Sequence, residues 1–278
     1  MKTKQAKKTA LRILSNNWGQ AMVVVLVLII IHVIFTTAET NIYYMLKSNG
    51  LVSSQDFKLL SHNKYIILVS IVRYLLEFVL ITPAYMGSVW WFLHCVRGQN
   101  NSVQTMFVCY SNFNIFVKSL ALKLCISLIK LVAFLPVCIC AFLQYRLINY
   151  ALIHGFNNGI FILLSACCGL FSLCLLCFYI IFILRYALVD YIFVLNPDLN
   201  VLDIIKASTK KMKNNKALVV KLPLSFLCWI PSALLVFPLI FLLPYYAMSF
   251  TVMINSIIVD DFTSKRELLL GREAASLS

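Results

Sequence analysis

From residue 159 to residue 184 the chain carries no charged side chain at all. A helix of about 20 apolar residues is long enough to cross a hydrocarbon core roughly 30 Å thick. A water-exposed helix would need a polar face, and this stretch has none. Lipid imposes a further condition, because every backbone amide in it must find its partner within the protein, which restricts such a segment to a helix. Similar apolar runs occupy 18–37, 65–94 and 116–143. A longer one, 217–259, is punctuated by Pro231, Pro238 and Pro244, and proline breaks a helix by removing a donor and restricting its predecessor. Dividing it near Pro238 gives spans 217–237 and 239–259. The expected fold is an all-α membrane protein with six transmembrane helices in a single polytopic domain, residues 1–278. Composition agrees: 62% of residues are hydrophobic and 12% charged, about half the charge of a soluble domain.

The net charge of +14 would suit a nucleic-acid partner if the cations formed one face. They instead cluster between the apolar runs. With the N-terminus inside, the cytosolic segments hold eighteen Lys and Arg, led by the groups Lys2 to Arg12 and Lys206 to Lys221. The opposite side holds four, Lys47, Lys58, Lys64 and Arg146. This bias orients both termini to the cytosol of a cell membrane, with anionic lipid head groups as the expected partner and no nucleic acid. The first apolar run is longer than a signal-peptide core and more spans follow, so an uncleaved first helix is expected.

Three junctions between polar and apolar sequence look alike, centred on Asn17, Asn112 and Asn215. Each follows a short amphipathic stretch, at 4–16, 102–114 and 200–213. Leu11, Leu14 and Trp18 make the apolar stripe of the first, and Val201, Ile204, Ile205 and Met212 that of the third. Such stripes beside a membrane read as interfacial helices. The expected architecture is three parallel repeats, each an interfacial amphipathic helix followed by a helical hairpin. Asn200, with Asp203 three residues later, has the pattern of a helix N-cap.

Ionisable residues inside the spans are costly and are therefore candidates for function. Arg73 and Glu77 share a face at i, i+4. Counting 1.5 Å per residue, Glu77 lies about 18 Å and Lys130 about 20 Å below the outer ends of their spans. Glu77 can therefore pair with Arg73 or with Lys130. His32 stands alone in its apolar run. Ten cysteines lie in or beside the spans, and neither Cys138/Cys140 nor Cys174/Cys177 has a second pair or a histidine nearby. No metal or cofactor is expected. The sequence has no His-Glu-x-x-His helix, nucleophile elbow or phosphate loop.

Several segments spread over the chain resemble a bacterial integral-membrane family known as domain of unknown function 975. They are Ser15-Asn16-Asn17-Trp18-Gly19-Gln20-Ala21, Pro83-Ala84-Tyr85-Met86-Gly87, Arg97-Gly98, Arg185-Tyr186-Ala187 and Asn196-Pro197-Asp198. The stretch Ser208 to Lys216 and Leu243-Pro244-Tyr245-Tyr246 complete the set. Phe237-Pro238 departs from it, where a glycine-richer turn belongs. The resemblance implies six membrane helices and supplies no catalytic residue. The sequence supports a non-enzymatic scaffold or partner subunit of the cell envelope, working with another membrane protein. The alternative is a transporter or permease for a lipid-like, peptide or small substrate. An intramembrane lipid enzyme has the least support.

Overall fold

A computed structural model describes residues 3–50, 64–99, 102–154, 159–229 and 236–276. Every regular element among them is helical. In chain order these are α1 (Thr3–Leu14), α2 (Trp18–Ser48), α3 (Lys64–Val96), α4 (Val108–Ser111), α5 (Phe113–His154), α6 (Gly159–Ile183), α7 (Val189–Leu195), α8 (Val201–Met212), α9 (Lys216–Leu224) and α10 (Val236–Ser276). Short 3-10 turns at Val103–Phe107 and Leu184–Tyr186 lead into α4 and α7.

Five helical stretches among the described residues are long and apolar enough to cross a membrane: Trp18–Ser48, Lys64–Val96, Phe113–Tyr150, Leu163–Leu195 and Pro238–Val259. The first outruns its expected end at residue 37 by eleven residues, and in it Thr36 and Thr40 satisfy their hydroxyls on the carbonyls four residues earlier. The expected fifth span, 217–237, is represented among the described residues by α9 alone. α9 runs through Pro223 to Leu224, and the chain turns there, with the Ser225 amide donating to Lys221 and that of Phe226 to Pro223. Residues 230–235 of that span lie outside the described set. α10 begins at Val236, two residues before Pro238. The proline sits in the first turn of α10, where a missing N–H costs nothing.

Helices α2 and α3 pack as one hairpin, and α5 and α6 as another. Their outer flanks carry exposed leucine, isoleucine and phenylalanine, the surface that suits lipid. The buried core gathers elsewhere, around the last turns of α3 (Trp91, Phe92, Leu93), all of α7 from Val189 to Val194, and Met248 to Ile258 of α10. α1 closes this core by laying Ala6, Ala10 and Leu14 on α10, the small residues allowing close approach. Of the expected apolar stripe of α1, Leu14 is buried and Trp18 packs against the core, whereas Leu11 is 46% exposed and the two alanines take its place.

At the Asn17 and Asn215 junctions the local geometry is the same. Each side-chain amide donates to the carbonyl four residues back, Asn17 to Ile13 at 3.2 Å and Asn215 to Lys211 at 3.1 Å. Buried positions fall at matching offsets, Ala6, Ala10, Leu14, Ala21 and Val24 against Ile204, Ser208, Met212, Val219 and Leu222. Asn112 differs. Its backbone is extended, and its side chain accepts from the Asn114 amide instead. Asn200 has the backbone of an N-cap but its side chain makes no capping bond.

Candidate functional site

The antiparallel α2–α3 hairpin carries six polar side chains along its seam. His32, Glu39 and Tyr43 descend one helix while Glu77, Arg73 and Ser70 face them from the other. Arg73 lies between two carboxylates, 2.7 Å from Glu77 and 3.0 Å from Glu39. The His32 Nδ1 closes on Glu77 at 2.5 Å. Tyr43 donates to Glu39 at 2.5 Å and shares a hydrogen bond with Ser70 at 2.6 Å, and Ser70 also donates to Glu39. Arg73, Glu39 and Glu77 are each only 11–13% exposed, so nearly all of their charge is met inside the seam. A single unpaired charge here would cost a few kcal/mol, and the mutual pairing offsets that cost. One donor, Nε of Arg73, remains buried without a partner.

The hollow beside this seam, about 270 Å³, is bordered by Glu39 and Arg73 and otherwise walled by apolar side chains such as Phe35, Ile42, Leu68, Val72 and Leu76, so its surface is almost wholly apolar. An expected first span that stops at residue 37 leaves Glu39 out, whereas α2 runs on to Ser48. The signal was available: once α2 runs on, Glu39 stands opposite Arg73 in an antiparallel hairpin.

Lys130 takes no part in this network. It lines a cavity of about 490 Å³ bounded by α2, α3, α5, α7 and α10, together with Tyr85, Lys123, Asp190, Tyr191 and Tyr246. Lys123 and Lys130 are seven residues apart, two turns on one face of α5, or about 10 Å along the axis. Lys123 pairs with Asp190 at 2.8 Å and lies 4.6 Å from the Tyr85 ring centre. Tyr191, fully enclosed, shares a hydrogen bond with Thr251 at 3.2 Å. The other oxygen of Asp190 is buried and has no partner. Asp198 and Asp203 do not join Asp190. Lys118 instead donates to the Pro197 and Asp198 carbonyls, at 2.9 and 3.1 Å, and ties the turn before α8 to α5.

Two contacts outside the long spans hold the periphery. Lys7 donates to the Ser225 carbonyl at 2.9 Å and sits 3.9 Å above the Phe226 ring; this partial burial lowers its pKa. Tyr110 of α4 donates to the Leu80 carbonyl on α3, next to the Val79 carbonyl that Pro83 leaves without a helical donor. Burial pushes the Cys109 thiol up to about 11, so it stays protonated at neutral pH. Among the described residues no three His, Cys, Asp or Glu side chains gather as metal ligands would.

No curated protein and no solved structure matches this chain. A family model does, the protein of unknown function DUF975, over residues 1–258. With several apolar helices long enough to cross a bilayer and a match over nearly its whole length, the chain belongs to that family.

Proposed function

We propose that the protein is a non-enzymatic scaffold or partner subunit of the cell membrane, with its basic end in the cytosol. The observation that carries this reading is the closed α2–α3 seam. Arg73 is shared between Glu39 and Glu77, His32 closes on Glu77, and the hollow that Glu39 and Arg73 border is almost wholly apolar, which supports a role for these charges in holding the two helices together. The broad apolar flanks of the two hairpins then serve as contact surface for lipid and for a second membrane protein. The charge bias supports the orientation. The paired burial pattern around Asn17 and Asn215 supports descent of the chain from repeated units of amphipathic helix plus hairpin, with α9 a shortened member of the third.

The test is photocrosslinking in native membranes, with benzoylphenylalanine at Ile71 or Leu75 on the exposed flank of α3 and at Leu173 on α6. A scaffold gives discrete protein adducts that depend on the face chosen. Only lipid adducts at all three positions, together with solute uptake by the purified protein in vesicles, would sink the reading in favour of a permease. That second reading has one specific observation behind it, the polar cavity around Lys123, Lys130 and Asp190.

A further inference from the structure

Arg73 and Lys130 are both cations in long apolar helices, yet they are treated in opposite ways. Arg73 has two carboxylates within 3.0 Å. Lys130 makes no hydrogen bond or ion pair among the described residues, and the one carboxylate near it, Asp190, is committed to Lys123. The cavity thus holds two positive charges and one negative, a net charge of one with nothing among the described residues to balance it. An unbalanced ammonium in an apolar span is costly, and an occupant bearing one negative charge would remove that cost. The unpartnered Asp190 oxygen is an acceptor and calls for a donor close to that negative charge.

The shape narrows the occupant further. Leu184 lines both this cavity and a neighbouring groove of about 520 Å³ between α6, α9 and α10. The groove wall is Ile180, Val220, Pro223, Leu227, Leu239 and similar side chains, with almost no polar surface. A partly polar pocket with one surplus positive charge, sharing Leu184 as a wall with an apolar groove, matches an amphiphile.

We propose that the cavity binds the head group of a lipid carrying one phosphodiester charge and neighbouring hydroxyls, phosphate on Lys130, hydroxyl on the free Asp190 oxygen, with an acyl chain in the groove past Leu184. A zwitterionic head would leave the surplus charge in place, and a soluble phosphate would leave the groove empty. The proposal does not depend on the scaffold reading, since a bound lipid serves a scaffold or a permease equally.

The test is a thermal-unfolding titration of the purified full chain in neutral detergent. The probes are phosphatidylglycerol, phosphatidylcholine and free glycerol phosphate. Phosphatidylglycerol is expected to raise the unfolding temperature saturably, and the other two are not. Lys130→Met removes a charge-assisted contact, so its apparent affinity for phosphatidylglycerol should fall about tenfold or more, with Lys130→Arg close to the unaltered protein. Lys206→Met, on α8 outside the cavity, should change nothing. Equal stabilisation by phosphatidylglycerol and phosphatidylcholine, or by free glycerol phosphate, in the unaltered protein overturns the proposal without recourse to any variant. So does a Lys130→Met protein that binds phosphatidylglycerol as tightly as its parent.

Discussion

Gly87 offers the sharpest test of the packing, because α3 passes the 3-10 turn before α4 with no room between their backbones. A β-carbon on Gly87 would stand 1.6 Å from the Met106 carbonyl oxygen and 2.5 Å from its carbon. Ordinary contact starts at 3.4 Å, so the turn would have to retreat by about 1.8 Å. The obstacle is backbone, and Met106 is itself fully buried, so no side-chain rotation relieves it. Overpacking of a core costs typically about 1–3 kcal/mol, and a carbonyl that cannot turn away belongs at the upper end. At about 2–4 °C per kcal/mol for a domain of 150–250 residues, Gly87→Ala should unfold some 6–12 °C below the parent in detergent. Two other helical glycines calibrate the measurement. Nothing lies within 4 Å of a β-carbon at Gly19, so Gly19→Ala should be neutral or gain the helical preference of alanine. At Gly169 the obstacle is the mobile end of Gln144, at 2.9 Å, which can swing aside. If Gly87→Ala melts with the Gly19 and Gly169 variants, α3 and the Met106 turn are not in contact as described.

Two more measurements probe the charges. Arg73→Met strands two carboxylates against each other and should cost about 3–5 kcal/mol in a dodecyl-sulfate unfolding titration, whereas Glu39→Gln leaves the Arg73–Glu77 pair intact and should cost clearly less. Equal losses would mean Arg73 is not shared between them. In a double-mutant cycle, Glu77→Gln and Lys130→Met should add within about 0.5 kcal/mol, since they occupy separate sites, and a larger coupling would show that they meet.

The four long apolar runs up to residue 184 are legible as helices because lipid leaves the backbone no alternative. The i, i+4 spacing of Arg73 and Glu77 is legible for the same reason, as both lie on one rigid helix. What lies across from a helix is harder to read. Depth counting puts Lys130 level with Glu77, but depth says nothing of direction: Glu77 turns toward α2, while Lys130 turns into the cavity beside α7 and α10. Span ends are weakly specified too. Thr36, Thr40 and Tyr43 satisfy their hydroxyls within or across the hairpin, so α2 runs past the hydropathy boundary without stranding a polar group, and Glu39 lies on that extension. The short α9 escapes notice because leucine and valine on either side of Pro223 keep the run apolar after the helix has ended. The alanine face of α1 is hidden by leucines of greater hydrophobicity, although small residues are what let it approach α10.

The contact between α1 and α9–α10 has a consequence for synthesis. Lys7 meets Ser225 across 218 positions of sequence, and the alanine face of α1 rests on α10, later still in the chain. Helix α1 is synthesised before α9 and α10, so its docking face stays uncovered until both have been made. The clasp between them can shut only afterwards. A chain interrupted before α10 would keep that alanine face exposed.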